Sequence, residues 1–277
     1  MNTYFRYNCY MIFPFRDSDE LSACILSLYD ELSFSDGQLV QLRDLQLTDA
    51  QIGFICTADH KLKGISVFEF FEEYDVMNMC RWDTDSEAAG REMLAYLKKN
   101  YGSYQLEFTF SPENKLLISL LKECGAKLYG EQMNMELRSF PEIVNTDEIV
   151  LFSDAYMNQF HTVCQENDDI YWTADMLLRS PEEFRILLAL KDQKVTGYLA
   201  LTCCYEVNNI IDVFVRKEFR SLGYGSKLLY KAIAMNQPSG LTLQVDIDNG
   251  AAIALYEKMG FCKMEGKNTI TAILKTD

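Results

Sequence analysis

The run VFVRKEFRSLGYGSKLL, residues 213–229, changes character twice. Its first three residues close an apolar stretch, NIIDVFV (209–215), that reads as a strand. From residue 223 to about 235, Leu228, Leu229, Ala232 and Ile233 recur at helical spacing and form one inward stripe. Between the two lies a charged segment with glycines at 223 and 225. A loop passing from a strand into a helix start leaves several backbone N–H groups without intrahelical acceptors, and the helix dipole adds positive character there. Glycine removes the Cβ atoms that would hold an anion away from those groups. Arg220 adds a guanidinium suited to phosphate oxygens, and Ser221 and Ser226 add hydroxyls. Tight turns also account for a G-x-G pair, so the pair alone does not decide. With no G-x-G-x-x-G and no following G-K-[ST], both the dinucleotide fingerprint and the triphosphate loop are excluded.

Working outward, TGYLALTCCY (196–205) and NIIDVFV form neighbouring strands joined by a short turn, and LTLQVDI (241–247) alternates as another strand. Asn249 caps a helix whose inward side includes Ala252, Ile253 and Tyr256, Gly260 ends it, and TITAIL (269–274) is a final strand. Helices are expected over SDAYMNQFHTVCQ (153–165) and TADMLLRSPEEFRILLAL (173–190).

The bulk properties narrow the class. The 277 residues are about half apolar, with no uncharged run near the roughly 18–20 residues of a membrane span and no export signal at the start, so a cytoplasmic protein without membrane contact is expected. Nine scattered cysteines form no C-x-x-C pair, and with only His60 and His161 a metal site is not signalled. The net charge of −15 argues against nucleic acid as a partner. Residues 1–148 hold 13 Lys/Arg against 25 Asp/Glu, whereas 149–277 hold 13 against 16. Arg216, Lys217, Arg220, Lys227 and Lys231 crowd around the glycines, as a solvated face or as a dock for a small anion.

The chain also repeats itself. At an ungapped shift of 135, SPENKLLISLLKECGA (111–126) falls on DIDNGAAIALYEKMGF (246–261), with Asn114 on Asn249 and Gly125 on Gly260; the same shift lays 76–82 on 211–217 and Gly90 on Gly225. DHKLKG (59–64) matches DQKVTG (192–197) at a shift of 133. Two related domains are therefore expected, residues 1–138 and 149–277, joined by a polar linker over 139–148. Both are of α/β (α+β) class.

At this point a family resemblance enters. Arg220-Ser-Leu-Gly223-Tyr-Gly225 resembles the [RQ]-x-x-G-x-[GA] acyl-CoA motif of the GNAT superfamily of N-acetyltransferases, and LQVDIDNGAAIALYEKMGF, about 25 residues on, resembles the family's second motif. Lys217 stands where a proline is common. The resemblance implies two tandem GNAT-like domains, each a mixed, mostly antiparallel sheet flanked by helices. It implies that the acetyl-CoA pyrophosphate rests on the amides of Arg220, Ser221, Leu222, Gly223, Tyr224, Gly225 and Ser226. The pantetheine arm would pair with backbone near Val213, Phe214 and Val215, and Asn249 would bind it as well. An acceptor amine would attack the thioester directly, a strand N–H would steady the oxyanion, and Tyr256 would protonate the departing thiolate. Each residue has a plainer reading: Asn249 as an N-cap, Tyr256 as a core-edge aromatic, Arg220 as a surface charge. The base is left open among Asp212, Glu206 and Asp246.

At a shift of 135 the first copy places Asp85 on Arg220, Ala88 on Gly223 and Leu121 on Tyr256, with Asp83 and Glu87 adding negative charge, so a degenerate first domain without a cofactor site is expected. A non-catalytic acyl-CoA-binding or regulatory protein is the alternative to an enzyme. Fem-type aminoacyltransferases and mycothiol synthase share the tandem layout, but no basic surface or residue here specifies their substrates. DDIYWTAD (168–175) offers Asp168, Asp169, Tyr171 and Trp172 to a cationic small-molecule or peptide amine, or caps a helix over a packed aromatic. The chain is expected to be a monomer or homodimer.

Overall fold

The structure, a computed structural model, describes residues 10–16, 47–59, 61–142, 145–167 and 172–275. His60, Asp168, Asp169 and Tyr171 lie outside them. In chain order the elements are β1 (Met11–Phe15), β2 (Gln51–Ala58), β3 (Lys61–Phe71), β4 (Val76–Thr84), α1 (Glu87–Tyr101), β5 (Gln105–Phe110), α2 (Lys115–Glu123), β6 (Lys127–Leu137) and β7 (Ile149–Leu151). There follow α3 (Met157–Gln165), α4 (Ala174–Arg179), β8 (Phe184–Lys191), β9 (Lys194–Thr202), β10 (Val207–Val215), α5 (Tyr224–Asn236), β11 (Gly240–Asp246), α6 (Gly250–Lys258), β12 (Phe261–Lys263) and β13 (Thr269–Leu274). Among the described residues, no helix is long and apolar enough to cross a membrane.

The chain divides into two compact units, Met1–Tyr129 with Ile270–Asp277, and Gly130–Thr269. This differs from the sequence division at 138 and 149. Residues 130–137, expected in the first domain, pair antiparallel with β11 (Gln132 opposite Asp246, Glu136 opposite Thr242). Residues 270–274, expected in the second, pair antiparallel with β5 (Ile270 opposite Phe110, Leu274 opposite Leu106). Each sheet thus takes its closing strand from the other half of the sequence. A strand joins a sheet through backbone hydrogen bonds and one apolar face, and nothing local in the sequence says which sheet that is.

In the first unit β1–β4 form an antiparallel meander and β4 runs parallel to β5. Its core gathers Phe54, Phe68, Leu94, Phe108 and Leu120 with Ile270, Ala272 and Leu274 of β13. Truncating Leu274 to alanine should therefore cost about 2–4 kcal/mol and act on this unit. Hydrogen exchange is expected to show faster exchange in β5 with β10 and β11 unchanged; the reverse pattern would return β13 to the second unit.

In the second unit β7–β10 are antiparallel, and β10 runs parallel to β11. α5 lays Leu228, Leu229, Ala232 and Ile233 on one face, as its spacing predicts, while α3 and α4 cover the other with Phe160, Val163 and Leu177. The expected helix over 173–190 stops at Arg179. Pro181 cannot continue it, and FRILLAL becomes β8, a strand with Ile186, Leu187, Leu188 and Ala189 buried in succession because both faces are covered.

Candidate active site

β10 and β11 pair only along Val207–Ile210 and Gly240–Leu243. Beyond that, Asp212–Val215 stay on β9 and Gln244–Asp246 stay on β6, so the facing edges of β10 and β11 part with no strand of the described residues between them. The cause lies in β10, where Ile211 is an extra residue opposite β9; such a bulge bends and twists its strand away from the neighbour. Val213, Phe214 and Val215 lie on this unpaired stretch of β10.

After β10 the chain makes a 3-10 turn over Lys217–Phe219, and Ser221 (φ 61°) and Gly223 (φ 87°) then take left-handed backbone before α5 begins at Tyr224. Glycine suits the second position because φ > 0 costs it nothing. A methyl at Gly225 would meet Leu255 of α6 at 3.4 Å, an ordinary van der Waals contact. No side chain caps α5. Lys227 N–H bonds the Gly223 carbonyl, but the six amides from Ser221 to Ser226 meet no acceptor among the described residues. Six unpaired N–H groups in a row, at the positive end of a helix dipole, form an anion cradle.

The cations around it differ in availability. Arg216 is held bidentately by Glu166 (2.9 and 2.6 Å), and Lys227 pairs with Glu148. Lys217, Arg220 and Lys231 make no ion pair with a described residue. Arg220 turns back to the strand end, its Nε donating to the Val215 carbonyl at 2.9 Å and its guanidinium lying 5.7 Å over the Phe214 ring.

Asn249 does serve as the N-cap of α6, accepting the Ala252 N–H at 3.1 Å, and Asn114 caps α2 through the Leu117 N–H at the same distance. Gly125 and Gly260, both at positive φ, end the two helices. Tyr256 is half-buried on α6, edge-on to Phe261 at 6.1 Å, and its hydroxyl bonds no described residue. Burial, and then the charge of Asp212, push its phenol up to about 12.

Of the three candidate bases, Glu206 is exposed at the opposite end of β10 and Asp246 is exposed at the end of β11. Asp212 is half-buried on the face shared by Tyr198 and Phe214; its Oδ2 accepts from the Tyr198 hydroxyl (2.5 Å) and from Asn167 Nδ2 (3.1 Å). Burial raises its carboxyl, against the lowering effect of these donors and of the Val213 amide. Tyr198 and Asn167 carried no sequence signal: a tyrosine inside a strand and an asparagine after a helix are ordinary, and only the fold brings them to Asp212. Trp172 packs on Phe184 at 5.4 Å, an aromatic on the core.

The first unit has the same strand plan without the loop. Thr84 lies opposite Gly64 as Val215 lies opposite Gly197, and β4 carries its own bulge at Cys80, matching Ile211. The strands thus correspond at a shift of 131, not 135. The helices keep 135, with Ala89 and Tyr224 as first buried residues. Four residues separate Thr84 from Ala89, against eight between Val215 and Tyr224. The placement of Asp85 on Arg220 and of 76–82 on 211–217 is corrected accordingly: half of that connection is missing, which an ungapped match cannot reveal. The first turn of α1 is also closed by Ser86, whose Oγ accepts the Ala89 N–H and whose carbonyl accepts the Gly90 N–H, and Asp85 pairs with Lys63 at 2.9 Å.

Residues 149–261 match the model of the acetyltransferase (GNAT) family. This segment is a GNAT domain. Among solved structures, the chain is similar to a GCN5-related N-acetyltransferase from Sphaerobacter thermophilus (12% identity, TM-score 0.57, covering 95% of each chain). It is also similar to a tandem GNAT protein from the clavulanic acid biosynthesis pathway, at 13% identity and TM-score 0.52, covering 96% of this chain and 98% of that one. A functionally unknown conserved protein from Staphylococcus epidermidis gives 14% identity and TM-score 0.58 over 76% of this chain and 91% of that one. Likeness at such identities speaks for the GNAT fold alone. A comparison with curated proteins finds no match.

Proposed function

We propose that the GNAT domain moves an acetyl group from acetyl-CoA to an amine of a small molecule or peptide. The observation that carries this reading is the cradle of six unpaired amides, Ser221 to Ser226, placed directly after a strand whose outer edge is also unpaired. The pyrophosphate of acetyl-CoA would take the cradle, with Lys217, Arg220 and Lys231 supplying charge. The pantetheine arm would lie along Val213–Val215, with Asn249 beside it offering the amide nitrogen that its cap leaves unused. The amine lone pair would attack the thioester carbon while a strand N–H steadies the oxyanion. Tyr256 would donate its proton to the thiolate as the C–S bond breaks. A phenol near 12 stays protonated throughout the neutral range, so the acid is always loaded. A cytoplasmic setting suits the free thiols of the described cysteines.

The first unit we read as a degenerate copy retained for its fold. The shortened connection, the capped helix start, the carboxylates of Asp83, Asp85 and Glu87, and the fully buried Leu121 in place of Tyr256 all support this. Calorimetry on the full chain should find one saturable acetyl-CoA site, and thiol release should appear with a member of a panel of polyamines, aminoglycosides, amino acids and peptides. Absence of binding overturns the reading; binding without thiol release favours a sensor of acyl-CoA.

A further inference from the structure

On the α3 face of the second unit's sheet, opposite the face covered by α5, a recess of about 310 Å³ opens beside the strand ends. Gln159 and Thr162 of α3, Lys194 and Val195 of β9, and Arg216 just beyond β10 line it. Two of these residues are cations and none is an acid, in a chain of net charge −15. The volume is that of a site for a small molecule.

The donors left over define what fits. Arg216 gives Nε and Nη2 to Glu166, which leaves Nη1 without an acceptor among the described residues. Lys194 is exposed and makes no ion pair with a described residue. Gln159 is spent on the β8–β9 turn, accepting the Val195 N–H at 2.9 Å and donating to the Gln193 carbonyl at 3.4 Å. The Thr162 hydroxyl donates to the Asn158 carbonyl at 2.8 Å. Two cations on different strands, with the Val195 amide already taken, suit two separate carboxylates better than a phosphate, whose oxygens call for donors converging on one group. The buried Val195 adds an apolar wall for a short hydrocarbon spacer.

The first unit inverts this end of the sheet. Asp85 donates its N–H to the Lys63 carbonyl as Arg216 does to the Thr196 carbonyl, and the Asp85 carboxylate is neutralised by Lys63 at 2.9 Å. The available cations therefore belong to the second unit and are no part of the shared strand plan. The recess is also tied to the root of the amide cradle. The Arg216 carbonyl accepts the Phe219 N–H at 2.9 Å, which closes the 3-10 turn, and Lys191 of the β8–β9 hairpin lies 5.7 Å over the Phe219 ring.

We infer that this recess is a second anion site, separate from the cradle, which takes a short aliphatic dicarboxylate and lowers the affinity of the cradle for its own anion. One carboxylate pairs with Arg216 through Nη1 and the other with Lys194, while Glu166 keeps the guanidinium in place. Like charges at one end of a sheet repel, and the coupling is reciprocal, so each ligand weakens the other by the same factor. The site stands on its own geometry; only the coupling rests on the acyltransferase reading.

Titration calorimetry on the full chain with glutarate, at constant ionic strength, is expected to find one saturable site, with inorganic phosphate bound about tenfold more weakly. Lys194→Glu should weaken glutarate by about tenfold or more. Thr162→Trp, at an exposed helix position, fills the recess without reversing a charge and should do the same, the melting temperature of each variant reporting that it folds. Gly223→Asp acts on the cradle and should leave glutarate affinity within about twofold. Saturating glutarate should weaken acetyl-CoA about threefold to tenfold, and less at higher salt. No saturable glutarate binding, or wild-type affinity in both recess variants, overturns the site. So does affinity lost in Gly223→Asp and kept in Lys194→Glu, which would put glutarate in the cradle. Phosphate as tight as glutarate overturns the dicarboxylate class, and acetyl-CoA affinity unmoved by glutarate overturns the coupling. If acetyl-CoA binds nowhere, it is the acyltransferase reading that falls, and the glutarate titration still decides the site.

Discussion

Replacing Tyr256 with phenylalanine should lower the rate of thiol release about 10²–10³-fold while acetyl-CoA affinity stays within twofold. The substitution removes one oxygen and keeps the ring against Phe261 at the edge of the core. Since the hydroxyl bonds no described residue, no partner is orphaned and the melting temperature should hold. The expected size follows from the acid's strength. A phenol near 12 is about 3.5 units weaker than a thiol near 8.5, an uphill transfer of about 5 kcal/mol if run as a separate step. The proton must move together with C–S cleavage, and its absence is felt in kcat rather than in binding. Stopped-flow thiol detection at saturating acetyl-CoA measures this directly. Unchanged turnover would remove Tyr256 from the chemistry and leave it an aromatic at the core edge.

The second large effect belongs to the amide cradle. Gly223→Asn and Gly223→Asp place side chains of nearly equal size at φ 87°, a backbone that these two residues tolerate better than other non-glycine residues, and no atom lies within 4 Å of the new Cβ. Both variants should fold. The asparagine variant is expected to weaken acetyl-CoA a few-fold, through crowding at the amides. The aspartate variant adds a negative charge beside a pyrophosphate; at about 4 Å and an effective dielectric near 20 that repulsion is about 4 kcal/mol before salt screening. A loss on the order of 10²-fold relative to asparagine is expected, and it should shrink as ionic strength rises. Equal affinities for the two variants would place the anion elsewhere.

Much of this site can be read along the chain because its parts are local. A strand, a glycine-bearing loop and a helix start are set by residues within about 25 positions, and backbone amides need only the right φ and ψ to be left unpaired. Asn249 as a cap and the inward stripe of α5 are likewise fixed by near neighbours. The run FRILLAL is less legible, because a short apolar segment buried on both faces has no period to separate strand from helix.

The sequence alone determined the helical part of the repeat, the elements from residue 196 to Gly260, the glycine loop and the family resemblance, since these depend on spacing and on propensities that act over a few residues. Tertiary structure alone decided which sheet receives β6 and which receives β13, that the first unit lacks half of the strand-to-helix connection, and that Tyr198 and Asn167 hold Asp212. Strand pairing and side-chain convergence join residues tens of positions apart. Their free energy comes from burial and hydrogen bonding that exist only once the chain has closed on itself, so no local pattern records them.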